Sequence, residues 1–274
     1  MTGDIRAETI KQGRRPANWL LLAVAAVLTL TFAYLIPYAG LDSAASGAPS
    51  SARGLDSMLP AQFVGNAIAG TPIFAGALAL VFGVLVVGSE FGFETWKTVL
   101  VQGSSRFTVY GAKLAIVAAG IAVLVLTMAG VGALASAGVA MLEDQPLDWP
   151  SVADMVRGLG SGWLVAMTWA ALGVLLAVVL RGVALPIGLG LVWLLAVQNL
   201  LTAIAAPLLD WVAEAQKGLP GPNAGSLVAS MGAPSDTPGV AVLVDSSQAA
   251  LVLTGYLIAF AALGGWLLTR RDIG

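Results

Sequence analysis

Long apolar runs separated by short polar stretches dominate the pattern of this chain. Six runs are close to the roughly 20 residues that a helix needs to cross a bilayer core of about 30 Å. They cover approximately residues 17–38, 63–89, 110–141, 156–180, 183–206 and 249–269. The third run is long enough to tilt or to project from the membrane. The pattern predicts an all-α, polytopic membrane protein with one transmembrane domain over residues 1–274, surrounded by membrane lipid.

Charge gathers between the second and third of these runs. Residues 58–89 and 114–142 carry no charged side chain, whereas residues 89–106, here called the charged segment, carry several. The charged residues of this segment are Glu90, Glu94, Lys97 and Arg106. Glu90, Glu94 and Lys97 are spaced by four and three residues, which places them on one face of a helix beside Phe93 and Trp96.

The charged segment therefore predicts a short amphipathic helix at a membrane face. The Gln-Gly-Ser-Ser sequence at 102–105 follows it, and because Gly and Ser favour turns, a turn is expected before Arg106 leads into the third run. The alternative is an ordinary solvated loop whose charges only obey the positive-inside bias.

The first 16 residues are polar and basic and predict an interfacial helix that Gly13 and Pro16 end early. The apolar run that follows is too long for the core of an ordinary signal peptide, so it is expected to be the first membrane helix.

The distribution of Lys and Arg predicts the orientation of the chain. With both termini inside, ten of the thirteen basic residues lie on the inner side, and only Arg53, Arg157 and Lys217 lie outside. The expected location is the plasma (inner) membrane, with cytoplasmic N and C termini. The last outer loop, residues 207–248, is the longest; a short helix near its start and an ordinary extracellular loop are both possible interpretations.

The amino-acid composition excludes most catalytic mechanisms for this 274-residue chain. It has no His and no Cys, which excludes His-dependent triads, Cys proteases and thiolate or imidazole metal sites. No phosphate-binding Gly-x-x-x-x-Gly-Lys-(Ser/Thr) loop is present either. We therefore expect no catalytic, cofactor-binding or metal-binding residue. A net charge of −2 gives no reason to expect a nucleic-acid partner.

Two further patterns have a structural and a functional interpretation. Gly158-Leu-Gly-Ser-Gly162 looks like an intramembrane serine protease motif, but without a histidine the better interpretation is close helix packing through Gly158 and Gly162. The amides Asn66, Gln198 and Asn199 lie within apolar runs. Hydrogen bonds between helices are the more common role of such amides, and a substrate-facing role is the alternative.

The charged segment resembles the region between the second and third membrane helices of permease subunits of ATP-binding-cassette exporters of the second type. The residues that carry the resemblance are Glu90, Glu94, Thr95, Lys97, Val99, Leu100, Ser105, Arg106 and Lys113. Trp96, between Thr95 and Lys97, makes the motif one residue longer than the family pattern. The basic Arg-Asp ending at 271–272 is also similar to that family.

The resemblance implies that the charged segment is a cytoplasmic coupling helix that fits a groove on an ATPase subunit. The residues expected to couple are Glu90, Phe93, Glu94, Thr95, Trp96, Lys97, Arg106 and, at a second smaller contact, Arg181. It also implies an ATP-driven exporter of a hydrophobic or amphipathic substrate, such as a lipid, drug or peptide.

Such a complex contains two cytosolic ATPase subunits, which bind ATP and Mg²⁺, and a second permease copy, identical or closely related. This chain would be part of an ATP-hydrolysing complex without a catalytic site of its own. The alternative is a non-transporting membrane scaffold or signalling partner that docks a cytosolic protein through residues 89–106.

Overall fold

The computed structural model describes residues 2–41, 53–92 and 105–270. Within these ranges the chain forms helices joined by turns and contains no β-strand. Ten helices are labelled here in chain order. They are α1 (Thr2–Gly13), α2 (Pro16–Leu41), α3 (Phe63–Ile68), α4 (Phe74–Gly92), α5 (Arg106–Leu142), α6 (Val152–Leu180), α7 (Ala184–Leu208), α8 (Asp210–Ala215), α9 (Pro220–Ala229) and α10 (Ser246–Arg270).

Six of these helices, α2, α4, α5, α6, α7 and α10, are long and apolar enough to cross a membrane. The expected all-α, six-span fold is therefore confirmed for the described residues. The helix α1 precedes the first span, and its placement at the membrane interface stays a prediction.

The spans run up and down between two ends of the bundle. At one end, here called the basic end, the guanidinium of Arg106 at the start of α5 donates to the carbonyl of Thr269 near the end of α10. At the other end, the loop end, the Tyr38 hydroxyl near the end of α2 donates to Glu143, 2.6 Å away, just after α5. Residues 207–248 belong to the loop end.

The second predicted span, 63–89, is divided in the structure into α3 and α4. Pro72 has no backbone N–H and cannot continue a helical ladder. The N–H of Thr71 instead donates to Ile68 at 2.9 Å, and the N–H of Ala75 reaches back to Gly70 at 2.8 Å. The chain therefore turns at residues 69–73 before α4 begins.

Helices α4 and α6 form the centre of the bundle and cross with their backbones in contact. A Cβ added at Gly83 would lie 2.1 Å from the carbonyl oxygen of Ala170, and one at Gly173 would lie 2.3 Å from that of Leu80. Most of α4 and α6 is buried, whereas α2, α7 and α10 leave much of their apolar surface exposed. The outer faces of these three helices are suited to lipid or to another membrane protein.

The packing interpretation of Gly158 and Gly162 is confirmed. A Cβ at Gly158 would lie 2.1 Å from a methyl of Val64, and one at Gly162 would lie 2.6 Å from a methyl of Ile68. Both glycines let α6 approach α3 closely.

The long loop after α7 is partly helical, as one of the two interpretations expected. Helix α9 is buried along most of its length. The loop ends at Asp245, whose carboxylate accepts from the N–H groups of Ser247 and Gln248, both at 3.0 Å, and so caps α10. The Ser247 hydroxyl and these N–H groups hold the pKa of Asp245 below its usual value.

Candidate functional site

Four charged side chains meet at the basic end, where α1 packs against α4 and α5. This ion-pair cluster consists of Glu8 and Lys11 on α1, Glu90 on α4 and Lys113 on α5. With two carboxylates and two ammonium groups, the cluster is neutral as a whole. It joins the N-terminal helix to both helices that flank the charged segment.

Lys113 is the most deeply buried member of the cluster. Its ammonium lies 3.0 Å from Glu90 Oε1 and 3.3 Å from Glu8 Oε2, and it also reaches the backbone carbonyl of Val86 at 3.4 Å. Lys11 bridges the same two carboxylates, bonding Glu90 and lying 2.8 Å from Glu8. Each ammonium therefore contacts both carboxylates.

A second layer of hydrogen bonds fixes α1 and the turn that follows it. Gln12 donates to Glu8 at 2.7 Å, and Asn18 donates to the backbone and side-chain oxygens of Gln12. Arg15 donates to the carbonyl of Leu85 on α4 at 3.0 Å. Because α1 and α4 are tied at several points, they are expected to move together.

Because the side chains of this cluster are buried, their charges need partners of opposite sign. Glu90 is 4% exposed and Lys113 is 2% exposed, and a charge removed from water is costly unless an opposite charge or hydrogen bonds compensate it. Burial lowers the pKa of Lys11, but hydrogen bonds and attraction from Glu8 and Glu90 outweigh it and raise that pKa overall. Lys11 therefore remains an ammonium at neutral pH.

The structure places Glu90 in the last turn of α4, facing the cluster. A direct contact of Glu90 with another subunit stays a prediction; in this chain its carboxylate binds Lys11 and Lys113. The other residues predicted within the charged segment, Phe93, Glu94, Thr95, Trp96 and Lys97, lie outside the described residues.

Arg106 begins α5 on the other side of the charged segment. Ser105 caps this helix, since its hydroxyl oxygen accepts from the N–H of Thr108 at 3.1 Å. The Arg106 guanidinium lies 3.4 Å from the carbonyl oxygen of Thr269. The far end of the charged segment is thus next to the end of the last span.

Arg181 forms the tight turn between α6 and α7. Its backbone is left-handed, with φ 50° and ψ 47°, an unusual conformation for a residue with a side chain. The next residue, Gly182, packs against α4: a Cβ at Gly88 would lie 2.3 Å from the Gly182 carbonyl oxygen. The structure therefore brings Glu90, Arg106 and the Arg181 turn to the same end of the bundle.

The sequence prediction missed Glu8 and Lys11 as partners of Glu90. One signal for them was present: Glu8, Lys11 and Gln12 are three and four residues apart and so share one face of α1. The spacing does not predict that this face of α1 packs against α4 and α5.

A cavity of about 330 Å³ lies nearer the loop end, between α2, α4 and α5. Phe32, Phe74 and Met128 contribute to its mainly apolar wall. At its rim Arg53 lies 2.5 Å from Asp236. The wall of α2 includes Thr31–Leu35, where the helix widens into a π-helical turn. Such turns are frequent at functional sites.

In a comparison with protein families, residues 5–197 match the family described as ABC-2 family transporter protein. The matched range begins within α1, includes the whole charged segment and every residue predicted to couple, and ends within α7. A comparison with curated proteins returned no match.

Proposed function

Because the chain belongs to the ABC-2 family of transporter proteins, we propose that it is the membrane-spanning permease subunit of an ATP-driven exporter. Two separate cytosolic ATPase subunits bind ATP and Mg²⁺ and supply the energy. A second permease copy, identical or closely related, completes the membrane part. The exposed apolar faces of α2, α7 and α10 are surfaces on which that copy can pack.

The observation that carries this proposal is the ion-pair cluster between the two helices that flank the charged segment. Glu90 lies two residues before the end of α4 and Lys113 lies in the second turn of α5, so their ion pair joins the two helices that hold the segment. A force applied to the segment therefore reaches α4, α5 and α1 together.

Within this proposal the predicted coupling residues divide into two groups. Glu94, Thr95 and Lys97 contact the ATPase through polar groups, with Phe93 and Trp96 packed beside them. Glu90 holds the segment in place through Lys11 and Lys113. Arg106 fixes the far end of the segment, and Arg181 makes the smaller second contact from the neighbouring turn.

The cargo is a hydrophobic or amphipathic molecule, such as a lipid, a drug or a peptide, and it moves outward. The support is the mainly apolar wall of the cavity between α2, α4 and α5. Closure of the ATPase subunits pushes the charged segment, and the bundles rock to open a path at the loop end. In this orientation the basic end and both termini face the cytoplasm.

The test is ATP hydrolysis by the chain reconstituted in liposomes with the ABC ATPase that co-purifies with it. Glu94→Arg reverses the charge on the predicted ATPase-facing side. We expect it to abolish co-purification and substrate-stimulated hydrolysis. The matched control is Glu214→Arg, the same change on α8 at the loop end, where the carboxylate pairs only with nearby Lys217 among the described residues.

Full ATPase coupling in the Glu94→Arg variant would contradict the proposal. Binding of an ATPase without any substrate-stimulated turnover would instead support the scaffold alternative.

A further inference from the structure

A groove of about 280 Å³ lies beside the ion-pair cluster, where the end of α1 meets α2, α4 and α5. Its polar side chains gather at the junction of α1 and α2, and they are Thr9, Gln12 and Asn18. The other side chains that line it, from α2, α4 and α5, are apolar or aromatic. Gln12 also donates to Glu8 of the cluster at 2.7 Å. The groove is therefore polar at one end and apolar along the rest.

The apolar part of the groove follows α5 from Ile116 to Leu124. At 1.5 Å per residue this stretch rises about 12 Å, close to the roughly 15 Å of hydrocarbon in one leaflet. The first span begins at Pro16, so the polar end of the groove lies where the chain enters the membrane. Trp19 on α2 and Val123 on α5 are both exposed, so the groove opens on the outer surface of the bundle. Lipid surrounds that surface.

Two aromatic side chains shape the groove. The indole Nε1 of Trp19 donates to the carbonyl of Gly13 at 2.9 Å, which holds the ring against the end of α1. Trp is typical of the membrane–water interface, because its ring is apolar and its N–H is polar. Between α4 and α5, the Phe82 ring lies so close to Gly120 that an added Cβ would be 2.4 Å from it. The groove thus has the character of a site for an amphipathic molecule at a membrane face.

Two exposed arginines lie at the polar end of the groove. Arg6 precedes Thr9 and Gln12's neighbour Gly13 by three and seven residues, so it shares with them one face of α1. Arg14 directly follows Gly13. No described acidic side chain pairs with either arginine, whereas the charges of the ion-pair cluster are matched within it. The groove therefore offers positive charge next to its polar end.

We propose that the groove binds one anionic phospholipid of the surrounding membrane. An acyl chain lies along α2, α4 and α5, and the phosphate lies next to Arg6 and Arg14. A zwitterionic phospholipid has the same chains but no net charge, so charge complementarity selects the anionic lipid. Because Gln12 lines the groove and also contacts Glu8, a bound lipid supports the position of α1 against the cluster.

The experiment counts the lipids bound to the full-length chain by native mass spectrometry after release from detergent micelles. The two probes are phosphatidylglycerol and phosphatidylcholine with identical acyl chains, titrated at equal concentrations. We expect the first phosphatidylglycerol to bind saturably and about tenfold more tightly than the first phosphatidylcholine, because two arginines attract its net negative charge.

The first variant removes the positive charge. Arg6→Gln combined with Arg14→Gln should abolish the preference for phosphatidylglycerol, since both positions are exposed and the fold does not depend on them. The matched control is Arg157→Gln at the loop end, where the side chain is 73% exposed and lies 3.8 Å from Asp154. That variant should keep the tenfold preference.

The second variant fills the groove. Ala119 is exposed and lines it, so the indole of Ala119→Trp occupies volume that an acyl chain needs. We expect the first phosphatidylglycerol to bind about tenfold more weakly, to the level of phosphatidylcholine. The matched control is Ala262→Trp on α10, an exposed position outside the groove, which should bind lipid like the unsubstituted chain.

Equal affinity of the unsubstituted chain for the two lipids would overturn the proposal and leave the groove to an uncharged occupant. A preference that persists in Ala119→Trp would also overturn it, since the anionic lipid then binds elsewhere. If Ala119→Trp does not fold, the double arginine variant decides alone, and an unchanged preference there contradicts the proposal. Because neither an ATPase nor transport takes part, this result is independent of the test of the proposed function.

Discussion

At positions 90 and 113, burial determines what each charged side chain can do. Glu90 and Lys113 lie 3.0 Å apart at a buried helix interface, so each requires an opposite charge close by. A buried ion pair is weak evidence for stability, since apolar side chains of the same shape often do as well. Its effect on the positions of the helices is clearer, because the pair holds the end of α4 next to the start of α5.

Removal of the Glu90 carboxylate should strongly destabilise the chain. In Glu90→Ala, Lys11 and Lys113 lose one of the two carboxylates that they share. The Lys113 ammonium stays buried without this partner. We expect the free energy of unfolding, measured by SDS titration in mixed micelles, to fall by about 3–5 kcal/mol, as when one partner of a buried pair is removed.

The control for this variant is Glu214→Ala, in which the lost carboxylate was 74% exposed and paired with Lys217. A surface pair contributes roughly 0–1 kcal/mol, so this change should have little effect. Equal losses in the two variants would contradict the view that burial makes the cluster important.

The sequence allowed the residues of this site to be predicted only in part. The spacing of Glu90, Glu94 and Lys97 places them on one helical face, but periodicity does not say which neighbour that face meets. In the structure, Glu90 turns towards α1, and only tertiary packing of Glu8 and Lys11 decides this. The cost of an unpaired buried charge explains the arrangement once the packing is known.

Among the helices, the crossing of α4 and α6 depends on glycine at the point of contact. At Gly173 the nearest atom of α4 is a backbone carbonyl oxygen, which a rotamer change cannot move away. Even a methyl group at this position therefore requires the two backbones to move apart.

Gly173→Ala should destabilise the bundle, because a methyl group must push the two backbones apart. We expect the free energy of unfolding to fall by about 1–3 kcal/mol, the usual cost of overpacking. The matched control is Gly130→Ala on α5, where an added Cβ would meet nothing within 4 Å. That variant should be unchanged or slightly more stable, since Ala favours helix over Gly. If the free energy of unfolding fell by the same amount in both variants, the close crossing of α4 and α6 would not be the cause of the destabilisation.

The six spans could be predicted because length and hydropathy decide membrane helices almost alone. The break between α3 and α4 was not predicted, since the apolar run continues through it and only Gly70 and Pro72 indicate a turn there. The burial of α9 also depends on packing: Pro220, Gly221 and Pro222 indicate a bend, but not that the helix after it enters the bundle.

For the whole molecule, the account depends on which side of the membrane the basic end faces. The chain has no cysteine, so single-cysteine variants report their side without interference. In intact cells, a membrane-impermeant maleimide should label Lys217→Cys and should leave Lys97→Cys unlabelled until the membrane is permeabilised. Labelling of Lys97→Cys in intact cells would reverse the proposed orientation.

The most direct measurement places a photo-crosslinking amino acid at position 96, within the charged segment, in native membranes. The account predicts a crosslinked product that contains an ABC ATPase. It predicts no such product from the control position 211, where Trp211 is 70% exposed at the loop end. If position 96 gives no ATPase adduct, or position 211 gives one, the charged segment is not where the ATPase binds.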